Sequence, residues 1–230
     1  MGRLIDRLKS HAGANWTAYV HHPWLEGIHD GDLSIERFQF FLVQDLPYLA
    51  DFSRVYFMGF AKLEPRDLRL FRPFLKLIAD YDEGNVEEEW LAEIGCNDFS
   101  TDRWAALKAR EGYMNHLVRT AHEADAFAIF TSTLPCCVGY AEIGEWLKDK
   151  DTSHHHPVYR KWIDHYRRPF QRRQVSALID ALEASTSNLP ESELQKLEKV
   201  FLRSVQHQIH VFDAAWRMGD PWPGPGTHAS

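Results

Sequence analysis

Cysteine is scarce in this chain of 230 residues: there are three, and an odd number cannot close into a disulfide framework. Two of them, Cys136 and Cys137, are neighbours, a spacing that rarely bridges. Free thiols point to a reducing compartment, and the chain is read as cytoplasmic. Long apolar runs are also missing. We find no stretch of about 18 apolar residues to span a membrane. The opening Met1-Gly2-Arg3-Leu4-Ile5-Asp6 has no apolar signal core, and Gly2 lacks the downstream Ser or Thr of a myristoylation signal. Positive charge is not in excess: Lys and Arg number 26 against 33 Asp and Glu, a formal net charge of −7, which argues against nucleic acid as the partner. No segment alternates with the two-residue period of a strand, no repeat is visible, and no linker divides the chain.

What is present is core material. Hydrophobic residues make up 44% of the chain, aromatics 13% and charged residues 26%, which suits a folded domain rather than a disordered segment. Apolar residues recur every three to four positions. The spacing predicts helices over 4–20, 34–60 (with Pro47 kinking it), 68–81, 86–94, 104–120, 122–147 (interrupted at Pro135), 158–166, 170–184 and 191–216. Ser34 reads as an N-cap, and 22–28 leads to a turn at Asp30-Gly31-Asp32. The economical architecture is all-α: a single helical bundle over residues 1–218, followed by a Pro/Gly-rich tail, 219–230, that cannot hold a helix.

Two segments invite chemistry. In Leu134-Pro135-Cys136-Cys137-Val138-Gly139-Tyr140, a helix opening after Pro135 would put Cys136 and Tyr140 on one face, with the thiol at a helix N-terminus where exposed N–H groups favour the thiolate. That is a candidate nucleophile; a small buried apolar residue is the plain alternative. In Gln44-Asp45-Leu46-Pro47-Tyr48, Asp45 falls on an apolar, aromatic face and needs a partner or a shifted pKa; a structural ion pair is the plain alternative. Tyr113, Tyr140, Tyr159 and Tyr166 offer flat faces with polar tips, suited to a planar heteroaromatic ligand or simply to a core boundary.

Taken together, the blocks are more specific than their parts. His22-Pro23-Trp24-Leu25, Arg37-Phe38 with Phe40-Phe41, Asp45-x-x-Tyr48, Tyr113-x-x-His116, Leu134-Pro135-Cys136-x-x-x-Tyr140-x-Glu142-x-Gly144, His156-Pro157-x-Tyr159-x-x-Trp162-Ile163-x-x-Tyr166 and Phe212-Asp213-x-Ala215 resemble, in order, the TenA family, also called thiaminase II. The resemblance runs from the first helix to Trp216. It implies a bundle similar to haem oxygenase, a homo-oligomer (tetramer or dimer), no metal and no organic cofactor. It implies hydrolysis of an aminomethyl-aminopyrimidine, and of thiamin, to the hydroxymethyl pyrimidine in thiamin salvage. Residue by residue, Cys136 matches the nucleophile and Asp45 the acid on the aminopyrimidine edge. Tyr48, Tyr113, Tyr140 and Tyr166 match residues around the ring.

The chain departs from the family at Gln208, where a Glu that exchanges a proton with the ring nitrogen is usual, and at Val138, where a Trp is common. Gln can hydrogen-bond but cannot supply a proton. Three accounts follow: Gln208 positions the ring while Glu142 or a tyrosine moves the proton; the pocket takes a different pyrimidine; or the protein binds pyrimidine without turnover. An oxidase on the same fold is a further alternative. His154-His155-His156 suggests a metal to the eye, but three consecutive side chains point different ways, and His156-Pro157 fits the family block.

Overall fold

The computed structural model describes residues 3–79, 83–99, 106–150 and 156–223, and all its regular elements are helical. Near the N-terminus the predicted single helix is two: α1 (Leu4–Ala12) and α2 (Ala14–Val20). Gly13 separates them at φ +53°, a left-handed conformation that suits glycine. The segment expected to lead into a turn is itself a helix, α3 (Pro23–Asp30). Pro23 stands at its first position, and His22 Nδ1 accepts the Trp24 N–H at 3.1 Å.

Helix α4 (Ile35–Ala61) starts at the predicted cap, where Ser34 Oγ accepts the Arg37 N–H, and continues unbroken through Pro47. Phe38, Phe41, Asp45, Tyr48, Phe52 and Val55 share its buried face, so one acid sits in an otherwise apolar stripe. Helices α5 (Pro65–Ile78), α6 (Glu83–Glu93) and α7 (Lys108–Glu123) follow. Leu107, just before α7, donates its N–H to Gln44 Oε1 at 2.8 Å, which ties the start of α7 to the Asp45 region of α4.

The largest correction concerns α8 (Ala126–Leu147). It begins where Asp125 accepts the Ala128 N–H at 2.9 Å, and it is not interrupted at Pro135. Missing one N–H costs a hydrogen bond, but α8 is the centre of the molecule and packing carries it through. It touches α2, α3, α4, α7, α9 (Val158–Tyr166), α10 (Pro169–Thr186) and α11 (Glu191–Arg217). By length and composition α8 is apolar enough to cross a membrane, contrary to the sequence reading, yet 72% of its apolar window is buried inside this bundle. Gly139 makes the tightest contact: a Cβ there would lie 2.3 Å from the Tyr19 ring. Without one, Tyr19 lies across α8 and its hydroxyl donates to the Pro135 carbonyl at 3.1 Å.

Past α11, the Lys108 N–H donates to the Asp220 carbonyl at 3.3 Å and the Trp222 indole N–H to the Ala106 carbonyl at 3.1 Å. This first part of the expected tail therefore lies along the start of α7.

Candidate active site

Five helices carry the predicted residues. Asp45 and Tyr48 come from α4, Tyr113 from α7, Cys136 and Tyr140 from α8 and Gln208 from α11. Tyr48 and Tyr113 stack at 5.2 Å between ring centroids, and Gln208 Nε2 donates to the Tyr113 hydroxyl at 3.4 Å. Tyr140 packs on Tyr166, at the end of α9, at 4.8 Å. The four tyrosines and Gln208 are buried, whereas Cys136 keeps partial exposure within a largely buried stretch of α8. A negative charge on Cys136 is among the causes that hold Tyr19, Tyr48, Tyr113 and Tyr140 above the ordinary phenol range, after burial, which is the largest cause. The thiol thus shares one electrostatic neighbourhood with these hydroxyls. They stay neutral near pH 7 and keep their protons for hydrogen bonding.

Cys136 does not sit at a helix N-terminus. It is the eleventh residue of α8, far beyond the first turn, so the expected end-of-helix activation does not operate. Cys137 lies about 100° further round the helix and meets the Tyr56 hydroxyl, with 2.8 Å between sulfur and oxygen. Glu142 is turned away as well. Six residues after Cys136 it lies about 120° round α8 from the thiol, where Lys9 pairs with it and the Trp16 indole donates to it at 3.0 Å.

Two residues that the sequence did not single out complete the site. Arg110 Nη2 lies 2.5 Å from Asp45 Oδ1, and both side chains are buried. The guanidinium also covers the Tyr48 ring at 4.7 Å and the Phe41 ring at 5.7 Å. Glu87, from α6, is fully buried and bears electrostatically on Asp45. Burial raises the Asp45 pKa, and Arg110 and Glu87 only partly offset it. Burial alone would lower Arg110, but Asp45 and its other partners hold it raised, so the guanidinium stays charged. A signal for Arg110 was available: it precedes Tyr113 by three and so shares its helical face. Glu87 carries none, as one of three consecutive glutamates, Glu87-Glu88-Glu89.

The histidine readings resolve in part. His154 and His155 lie outside the described residues; His156 Nδ1 accepts the Val158 N–H at 3.3 Å, as a helix-start contact. Glu26 and His29 have Glu-x-x-His spacing, but Glu26 is exposed on α3 and His29 pairs with Asp30. Among the described residues no three His, Cys, Asp or Glu side chains converge as a metal site would require. Behind Tyr113, His207 and His116 stack at 5.0 Å, and burial brings both pKa values down to about 4.

Comparison with known proteins agrees with this architecture. The model of the TENA/THI-4/PQQC family matches residues 10–218. The aminopyrimidine aminohydrolase of Halalkalibacterium halodurans is 29% identical over 205 residues, 87% of this chain and 90% of that protein. That of Bacillus subtilis is 29% identical over 223 residues, 94% of this chain and 90% of that one. The solved structure of a TenA homologue from P. horikoshii superposes with a TM-score of 0.80 at 24% identity, over 95% of this chain and all of that one, a likeness of fold. With its all-helical bundle and a family match over nearly its whole length, this chain belongs to the TENA/THI-4/PQQC family.

Proposed function

We propose that this protein hydrolyses an aminomethyl-aminopyrimidine to the hydroxymethyl pyrimidine and ammonia in thiamin salvage, with Cys136 as nucleophile. The observation that carries the reading is the partly accessible Cys136 thiol sharing an electrostatic neighbourhood with the buried Tyr48, Tyr113 and Tyr140, near a buried carboxyl–guanidinium pair. The hydrolase names of the relatives support it. Thiamin, with the same pyrimidine arm and a different leaving group, is a second substrate.

The chemistry follows from the groups present. The rings of Tyr48, Tyr113, Tyr140 and Tyr166 hold a flat heterocycle, and Asp45 takes its aminopyrimidine edge. The Cys136 thiolate forms a C–S bond to a ring carbon, and the displaced electron pair goes to a ring nitrogen, which takes a proton. With the arm's amine in its ammonium form, the ring amino group pushes electrons toward the methylene arm, the C–N bond breaks and ammonia leaves. Water adds to the exposed methylene and gives its proton to the ammonia. The C–S bond breaks, the ring nitrogen returns its proton and the aromatic ring reforms. Gln208 positions the ring through its amide. We place the protein in the cytoplasm as a homo-oligomer, a tetramer or dimer, which sedimentation of the pure chain would read.

The test is incubation with 4-amino-5-aminomethyl-2-methylpyrimidine, following ammonia and the hydroxymethyl product. Turnover that is abolished in Cys136→Ser supports the proposal. Tight pyrimidine binding without ammonia would replace it with a binding function.

A further inference from the structure

Addition of a thiolate to the ring gathers negative charge on the ring nitrogens, and a buried site must stabilise it. Gln208 is 1% exposed; its amide N–H donates to Tyr113, and its Oε1 has no hydrogen-bond partner among the described residues. An amide so placed orients a ring, but it carries no charge and gives no proton. A cation is present in Arg110, which is 2% exposed, with Nη2 2.5 Å from Asp45 Oδ1. This contact is charge against charge rather than an aligned hydrogen bond. Asp45 Oδ1 and Arg110 Nε and Nη2 are buried, and none of the three has a hydrogen-bond partner among the described residues. Aromatic rings flank the guanidinium, Tyr48 at 4.7 Å and Phe41 at 5.7 Å, and Tyr48 in turn stacks on Tyr113. An acceptor and two donors thus stand side by side with their hydrogen bonds unmade, against the rings of the site. Groups left so are costly, and a ligand that pairs both kinds recovers the loss. The fitting ligand edge has an N–H donor beside an acceptor. The amino group and adjacent ring nitrogen of a 4-aminopyrimidine form such an edge.

Resting on the reaction proposed above, we propose that Arg110 is a catalytic residue. Asp45 accepts from the ring amino group, while Arg110 donates to the adjacent ring nitrogen and stabilises the charge of the adduct. As the Cys136 sulfur bonds to a ring carbon, the displaced electron pair spreads over the two ring nitrogens. One nitrogen meets the Arg110 N–H. The other takes the proton that the thiol gave up, so no acid is needed at position 208. Arg110 itself transfers no proton, since a guanidinium keeps its charge throughout the accessible pH range. When the C–S bond breaks, its electron pair returns to sulfur, the ring nitrogen returns its proton and the aromatic ring reforms, with Arg110 unchanged.

The experiment compares the wild type, Arg110→Ala, Arg110→Lys and the double variant Arg110→Ala/Gln208→Glu, each checked for folding by circular dichroism. In ammonia release from 4-amino-5-aminomethyl-2-methylpyrimidine, Arg110→Ala should lower kcat by about 100- to 1,000-fold, the usual loss with one donor to a developing charge. Guanidinium ion, added below the concentration that unfolds the protein, should restore part of that rate. Gln208→Glu in the Arg110→Ala background should also restore part of it, because a carboxyl group can supply a proton to the ring. Arg110→Lys keeps a cation beside Asp45 but loses the planar fork; it should stay folded and turn over slowly. A second readout needs no turnover: 15N resonances of the hydroxymethyl pyrimidine, labelled at both ring nitrogens and bound to each protein. One ring nitrogen should move upfield on binding to the wild type and return toward its free position in Arg110→Ala. Should Arg110→Ala not fold, Arg110→Lys carries both readouts. A folded Arg110 variant with the wild-type kcat, or with wild-type ring-nitrogen shifts, overturns the inference. So does a loss confined to thermal stability. If the wild type releases no ammonia but shows an Arg110-dependent ring-nitrogen shift, the reaction reading fails while the Arg110 contact stands. A wild type that neither binds the pyrimidine nor releases ammonia overturns both.

Discussion

Two aromatic regions along α4, one at its C-terminal end and one at its middle, differ in what their ring edges carry. Toward the C-terminal end, Phe60, Phe71, Phe74 and Phe130 pack with centroids as close as 4.5 Å and carry no polar atom. Toward the middle, Tyr48 and Tyr113 stack at 5.2 Å, but both rings end in a hydroxyl and a guanidinium lies across one face of Tyr48. Tyr56 joins the two, packing on Phe74 and holding Cys137. In the first region burial is almost pure gain, since apolar area leaves water at roughly 25 cal/mol per Å². In the second, each buried polar tip costs free energy unless it is paired. The contrast separates an apolar part of the bundle from a part that buries polar groups at a cost in stability.

The comparison breaks most visibly if its two ends are cut in turn. Cys136→Ser should cost at least about a thousandfold in ammonia release, as loss of a nucleophile does, and shift the urea midpoint little. Phe130→Ala should do the reverse, removing about 3–5 kcal/mol of stability in urea titration while leaving kcat at low temperature near the wild-type value. A similar loss of activity in both would mean that the two regions are not separate. Gly139→Ala should cost about 1–3 kcal/mol, because Tyr19 must leave its place across α8, and overpacking is the cause. Its effect on activity reports whether Tyr19 supports the thiol's helix. Tyr113→Phe removes the hydrogen bond to Gln208 and should change stability by about 1 kcal/mol or less, while raising KM for the pyrimidine.

A separate effect is set by pH. His116 and His207, behind Tyr113, have pKa values of about 4, lowered mainly by burial from the ordinary 6.5. The unfolded chain therefore binds more protons than the fold between these values. Their contribution to stability is intact above pH 6.5 and is lost as pH falls toward 4. Urea midpoints measured from pH 7 to pH 4 should decline, and His116→Phe/His207→Phe should flatten that decline.

Much of the bundle was legible in the sequence because amphipathic periodicity is local. The 34–60 helix, its Ser34 cap and the closing 191–216 helix follow from spacing that neighbouring residues alone impose. The site residues Asp45, Tyr48, Tyr113, Cys136, Tyr140, Tyr166 and Gln208 were legible as a pattern of blocks. Their meeting was not, since helices far apart in the chain must pack before they share a neighbourhood. The errors have the same origin. Pro135 read locally as a helix start, but α8 is held on seven sides and runs through it, which removes Cys136 from a helix end. Glu87 is indistinguishable in sequence from Glu88 and Glu89, and only the packing of α6 on α4 chooses which carboxyl is buried against Asp45. Composition and periodicity determined that this chain would be helical and which faces would be inward. Tertiary structure decided which charges had to share that interior, because the cost of a buried charge depends on partners that no local stretch of sequence contains.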